Sequence, residues 1–224
     1  MYSPEMERIP CVIMRSGTSK GIYLLSNDLP ADPETRDKVI LSIFGSPDSR
    51  QIDGLGGADP LTSKLAVIGV SSREDADIDY TFGQVEINAP RVDYSSNCGN
   101  ISAGVGPFAI QQGLVKAVEP VTTVRIYNTN TQKVFVAEVP VKDGKPQAKG
   151  GYKMDGAPGT GARIGINMAG TIGAKTGRLL PTGNPMDTLE IKSFGSLSVS
   201  MLDAGSPMVF VRAKDLGLEG TESP

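Results

Sequence analysis

Histidine is absent from the 224 residues of this chain, so acid–base chemistry in it falls to Lys, Cys, Asp, Glu or Tyr. The same absence removes Ser-His-Asp triads, Cys-His dyads and most zinc sites. Two cysteines are present, Cys11 and Cys98, too few for a disulfide framework and set in different contexts. Cys98 stands between Asn97 and Gly99, just before a run of small and apolar residues that reads as a buried helix. A thiol there meets free backbone N–H groups and the positive end of the helix dipole, which favour the thiolate and lower the pKa from its reference of about 8.5. Most free cysteines are small buried core residues, but the Asn and Gly neighbours point to a loop tip at a site. Cys11, between Pro10 and Val12, reads as an ordinary core residue in a strand.

Lys64 lies between a Gly/Asp/Pro loop and the apolar run Leu65-Ala66-Val67-Ile68. Desolvation at the mouth of a core can turn a lysine into a useful base; on spacing alone, a solvated strand-edge lysine is the simpler reading. Residues 15–21 contain Gly-Thr-Ser-Lys-Gly, yet the phosphate-loop register fails, because no Gly stands four residues before a Gly-Lys-Ser/Thr. Residues 57–64 fail as well, since Ser63 occupies the place where Gly is required. The hydroxyls and N–H groups of Thr18 and Ser19 suit a carboxylate about as well as they suit a plain turn. Residues 156–162 are Gly-rich without a dinucleotide-binding register and read as loop.

These side chains need elements to hold them. Residues 8–14 read as a strand with Pro10 tolerated near its start, residues 15–21 as a polar turn, and residues 22–25 as the second arm of a hairpin-like pair. Asp32 as N-cap, Pro33 at the first helical position and Gly45 past the end define a helix whose apolar face is Val39, Ile40, Ile43 and Phe44. Residues 51–63 are loop and 65–70 a buried strand. Alternating segments follow at 78–82 and 84–87. Residues 101–112 are small or apolar nearly all round, the pattern of a helix buried on every side. Gly104 and Gly106 inside it predict strands packed very close, and Pro107 is a local conflict. Residues 122–128 and 133–141 predict a hairpin with its turn at 128–131, and residues 142–158 a loop. Residues 178–185 read as a boundary, with strands at 188–193, 196–203 and 208–212 beyond it. The domains so defined are 1–185 and 186–224.

Gly (27) and Pro (16) together make up about a fifth of the chain, which disfavours a helix bundle and suits a turn-rich α+β fold. The net charge is −3 with no basic stripe, so nucleic acid is not an expected partner. No apolar run approaches the ~20 residues that span a bilayer. The first five residues lack a signal-peptide pattern, so the expected location is cytoplasmic.

The motifs Pro10-Cys11-Val12-Ile13-Met14-Arg15-Ser16-Gly17-Thr18-Ser19-Lys20-Gly21, Gly56-Gly57-Ala58-Asp59-Pro60-Leu61-Thr62-Ser63-Lys64 and Asn97-Cys98-Gly99-Asn100 come in a familiar order. Leu179-Leu180-Pro181-Thr182-Gly183-Asn184 and Asp203-Ala204-Gly205-Ser206-Pro207 continue it. Together they resemble the PrpF family of 2-methylaconitate isomerases, methylitaconate Δ-isomerases and 4-oxalomesaconate tautomerases. Ser16 departs from the family's usual second glycine. The resemblance implies a diaminopimelate epimerase-like α+β fold, with a β-barrel-like sheet around a central helix at about 99–112 and a second, similar domain only begun here. It implies Lys64 and Cys98 as the catalytic pair, and a small unsaturated di- or tricarboxylate as substrate. Gly17, Thr18, Ser19, Lys20, Ser63, Asn97, Gly99, Asn100, Ile101 and Ser206 are the residues expected to bind the substrate. Within it the N–H groups of Gly99, Asn100 and Ile101 would hold developing negative charge. No cofactor or metal is implied. A racemase or epimerase of the parent fold and a non-catalytic carboxylate-binding fragment are the rival readings. Family members are longer, so further chain, or association between copies, is expected to cover the apolar face of the last three strands.

Overall fold

The computed structural model describes residues 7–192 and 194–222. It divides into two compact units, Met1–Asn167 and Met168–Pro224.

In the first unit β1 (Val12–Ser16) and β2 (Ser19–Leu25) form a hairpin closed by Gly17 and Thr18. Pairing therefore runs through the polar residues 15–20 that the sequence suggests are a turn. Gly17 has a φ of +57°, and a Cβ there would stand 2.0 Å from Asn100 Oδ1, so only glycine fits. Strand pairing begins after Cys11, which is exposed and not the core residue expected. With no strand partner at Pro10 or Cys11, that side chain is not enclosed.

The helix α1 (Pro33–Phe44) has the ends its sequence predicts. The Asp32 carboxylate accepts the Thr35 N–H at 2.9 Å, and Gly45 takes the left-handed C-cap conformation. Next come β3 (Lys64–Val70), β4 (Ile78–Val85), β5 (Val92–Asp93) and α2 (Gly99–Gln111). The segments expected at 78–82 and 84–87 are one strand through Gly83, which ends at Val85, before residues 86 and 87. A Cβ at Gly83 would press on Val92 Cγ1 at 2.9 Å and Leu65 Cδ2 at 3.0 Å, so this glycine serves close packing, not a break. β6 (Val121–Asn128) and β7 (Lys133–Lys142) make the predicted hairpin. The stretch read as loop from 142 holds β8 (Lys145–Pro146) and β9 (Tyr152–Lys153), followed by β10 (Thr160–Gly161) and β11 (Gly165–Asn167).

The sheet order is β1-β2-β3-β4-β6-β7-β11, with β5 on β4 and β8 on β7; β9 and β10 pair separately. α2 packs against β1, β2, β3, β4, β7 and β8, so the sheet curls around it. Its buried residues run nearly all round, from Ile101 and Ser102 to Ala109 and Ile110. Close approach is real: a Cβ on Gly104 would lie 2.3 Å from Tyr23 Oη, and one on Gly106 2.8 Å from Val139 Cγ2. The helix continues through Pro107. α1 covers the opposite face of the sheet, where Ile40 and Phe44 pack with Ile22, Leu24, Leu65, Val85 and Val92.

The second unit is a three-stranded antiparallel sheet, β12 (Asp187–Ile191), β13 (Gly195–Asp203) and β14 (Pro207–Val211). The expected strand to 193 ends at Ile191, and residue 193 lies outside the described residues. The unit begins before the 178–185 segment that the sequence marks as a boundary. The reason is local: Asp203 accepts the N–H groups of Lys175 and Thr176 at 2.8 Å each, and its own N–H donates to Leu179 O at 2.9 Å. Among the described residues no helix is long and apolar enough to cross a membrane.

Candidate active site

Register places the site. Gly21 of β2 pairs with Lys64 of β3, and Lys64 with Gln84 of β4; two residues on, Tyr23, Ala66 and Phe82 pair likewise. Residues in register share a face of a sheet. Tyr23 Oη donates to Ile101 O at 2.9 Å, so this face is the one α2 covers. Lys64 therefore lies on the helix side of the sheet, only 8% exposed, and not at a solvated strand edge. Its Nζ donates to Gln84 Oε1 at 2.8 Å and stands 5.4 Å from the centre of the Phe82 ring. A Cβ on Gly21 would meet Ile101 Cδ1 at 2.8 Å and Lys64 O at 3.3 Å, so this glycine lets the first turn of α2 close onto the start of β3.

Cys98 is the N-cap of α2 in extended conformation, and no side chain caps the helix. The first intrahelical bond is from Ser102 N–H to Cys98 O at 3.0 Å. The N–H groups of Gly99, Asn100 and Ile101 thus have no partner within the helix. Two buried phenols lie behind this end. Burial raises the pKa of Tyr23 and of Tyr80 above the usual phenol range.

The remaining expected residues fall into two groups. Several are occupied with one another. Asn100 Oδ1 accepts the Thr18 N–H at 3.1 Å, Asn100 Nδ2 donates to Thr18 Oγ1 at 3.0 Å, and Ser16 Oγ donates to Asn100 O at 2.5 Å. The hairpin tip at Gly17 is thereby fastened to the head of α2. Ser63 Oγ is fully buried, donating to Val85 O at 2.9 Å and accepting from Gln51 Nε2 at 2.8 Å. Asn97 Oδ1 accepts from Asn128 Nδ2 at 3.2 Å and from Ser102 Oγ at 3.5 Å. Others keep capacity to spare. Ser19 Oγ is buried and, among the described residues, has no hydrogen-bond partner. Among the described residues Lys20 Nζ has a single long bond, to Leu55 O at 3.5 Å. Ser206 is exposed in the turn between β13 and β14, in the other unit.

Sequence reasoning passes over Gln51, Gln84, Asn128 and Asn130. Asn130 Nδ2 donates to Phe82 O and Tyr94 O at 2.8 Å each, and Asn130 Oδ1 accepts the Phe82 N–H at 2.8 Å. It takes over the edge of β4 where pairing with β6 has ended. A cavity of about 300 Å³ lies apart from Lys64 and Cys98. It is lined by Met14, Ala103, Gly104, Pro107, Met154 and Ile164 among others. Neither Lys64 nor Cys98 lines it.

The family model described as PrpF protein matches residues 6–224. The chain is 63% identical over 217 residues to a 3-methylitaconate isomerase of Eubacterium barkeri, covering 97% of this chain and 57% of that protein. It is 52% identical to a 4-oxalomesaconate tautomerase of Pseudomonas putida, covering 96% of this chain and 58% of that protein. The crystal structure of a methylitaconate Δ-isomerase matches with a TM-score of 0.84 at 62% identity, over 96% of this chain and 55% of that one. A probable proline racemase from Agrobacterium radiobacter shares the fold at 13% identity, with a TM-score of 0.57 over 94% of this chain and 54% of that one. The chain thus spans somewhat over half the length of the relatives it matches.

Proposed function

The chain belongs to the PrpF family, and from that premise we propose that it carries the acid–base pair of an isomerase that moves a proton in a small unsaturated di- or tricarboxylate. The observation that carries the reading is the placement of Lys64. A lysine almost fully enclosed on the helix side of the sheet, with its Nζ held by one neutral acceptor, stands beside a helix head that ends in a cysteine.

In this reading the neutral amine of Lys64 removes a proton from the carbon whose acidity a conjugated carboxylate raises. The C–H bond breaks, an N–H bond forms, and the electron pair spreads into a dienolate. The N–H groups of Gly99, Asn100 and Ile101 stabilise this charge, because they are already oriented and pay no reorganisation as it develops. Delivery of a proton to the far carbon, from Cys98 or back from Lys64, completes an allylic shift. Rotation before the proton returns completes a cis–trans change. Ser19 and Lys20 are the groups with hydrogen-bonding capacity left for a second carboxylate. Gly17, Thr18, Ser63, Asn97 and the Asn100 side chain act behind them, by fixing the hairpin tip, the loop before Lys64 and the helix head.

Proton NMR of the whole enzyme in deuterium oxide, with methylitaconate, methylaconitate and oxalomesaconate, tests this. Isomerisation, with solvent deuterium entering at the shifted carbon, is the expected result for one of the three. Failure of all three to isomerise or exchange would remove the reading.

A further inference from the structure

We propose that Gln84 is a positioning residue for Lys64, an anchor that must be a neutral amide. The inference rests on the reading of Lys64 as a base and adds a residue that none of the sequence motifs contains.

Gln84 faces Lys64 directly across β3 and β4. An amide side chain has two N–H donors and one acceptor oxygen. Both donors are committed to the main chain that leads into Lys64: Nε2 bonds to Pro60 O at 3.1 Å and Ser63 O at 3.0 Å. Turning the amide over would set its oxygen against two carbonyls, so the orientation is determined by its partners. The oxygen must face Lys64, and it accepts from Nζ at 2.8 Å. One residue thus ties the lysine's ammonium or amine to the backbone of its own approach loop. That loop is held independently at Ser63, through Val85 O and Gln51.

The chemical type matters as much as the position. An amide oxygen accepts one N–H from the nitrogen in either protonation state, which leaves the lone pair of the neutral amine turned away, toward the reacting carbon. A carboxylate at the same place would favour the ammonium and withhold the base. Among the described residues no carboxylate forms an ion pair with Lys64. The ionisable groups on the packed elements are Lys20 and Tyr23 on β2, Asp79 and Tyr80 on β4, Asp93 on β5, Cys98 at the head of α2 and Asp59 in the preceding loop; Asp79 pairs with Gly69, at the far end of β3 from Lys64. Of these, Lys20 turns to Leu55 O and Asp93 accepts the Ser95 N–H at 2.8 Å. Gln84 is the polar side chain bonded to Nζ.

Gln84→Glu is nearly isosteric and adds a charge, while Gln84→Met loses the same Nε2 bonds to Pro60 O and Ser63 O without one, so the two together separate anchoring from charge. In the whole enzyme with methylitaconate as probe, kcat/KM at neutral pH is expected to fall by about tenfold or more. The limb of the pH profile that reports deprotonation of the base is expected to move up by about one unit or more, with activity recovering as pH rises. Gln84→Met keeps the volume but frees Nζ. It should lower kcat about tenfold or more with KM nearly unchanged, and leave no recovery at high pH. Lysine 13Cε NMR of Gln84→Glu reads the same coupling without turnover, as an upward move of the Lys64 titration. Loss of activity in Gln84→Glu that is uniform with pH, with an unmoved Lys64 titration, would overturn the proposal. Failure of the base assignment itself would appear separately, as turnover surviving in Lys64→Ala.

Discussion

The two units of this chain are built on different physical terms. In the first, strands from several parts of the sequence press onto α2, close enough that Gly104 and Gly106 have no room for a methyl group. Its polar junctions are spanned by asparagine and glutamine side chains that satisfy main-chain groups where strand pairing stops. In the second, no α-helix is found among the described residues, and only Leu197 and Val199 are buried apolar side chains. Met208, Val209 and Phe210 are each more than half exposed. Its interior is organised by one carboxylate, Asp203, which collects the loop at 173–178. The difference teaches where positioning resides: Lys64 and the head of α2 are fixed by close packing and polar junctions in the first unit, whereas the second is held locally by Asp203.

That contrast can be broken by substitution. The largest effect is expected at Gly104. Gly104→Ala drives a methyl into Tyr23 Oη and should cost about 2–3 kcal/mol in chemical denaturation, as overpacked cores do. Asn130→Ala strips partners from Phe82 and Tyr94 and should cost about 2 kcal/mol, with faster hydrogen exchange at the Phe82 amide.

In the second unit Asp203→Asn should act locally. Burial raises the Asp203 pKa, but the Thr176 and Lys175 N–H groups and the Thr176 hydroxyl outweigh it and hold the value below the usual range. The sign follows: the carboxylate contributes stability above its unfolded pKa of about 3.9, and the contribution is lost as pH falls through the lower folded value. The amides of Lys175 and Thr176 should therefore exchange faster in Asp203→Asn than in the parent at pH 7, with the gap closing in acid. The smallest effect is expected at the open sheet: Phe210→Ser should change the stability of this chain by no more than about 0.5 kcal/mol. A large loss there would show that β14 is covered, and would erase the comparison.

Where local signals suffice, the sequence is legible. Asp32, Pro33 and Gly45 mark both ends of α1, and the small apolar run after Cys98 marks α2 as the element the sheet must wrap. The three final strands and the 121–142 hairpin follow from alternation. What is not legible depends on partners far along the chain. Arg15, Ser16, Ser19 and Lys20 read as a turn because they are polar, yet they pair as strands because Asn100, more than eighty residues later, occupies the Gly17–Thr18 tip. Gly83 reads as a break until Val92 and Leu65 are seen against it. Lys64 is ambiguous on spacing, and Gln84 is silent, because their meaning comes from cross-strand register. Ser63 belongs to the right motif, but its buried hydroxyl supports the loop.

The central claim is that Lys64 moves the proton. Its most direct test is wash-in of solvent deuterium into methylitaconate by the whole enzyme and by its Lys64→Ala and Cys98→Ser variants, followed by proton NMR. Lys64→Ala is expected to lose about a thousandfold or more in both exchange and isomerisation while its thermal unfolding stays that of a folded protein. Cys98→Ser should keep exchange at the first carbon, and lose isomerisation only to the extent that the thiol delivers the second proton. Exchange by Lys64→Ala at the parent's rate would contradict the account.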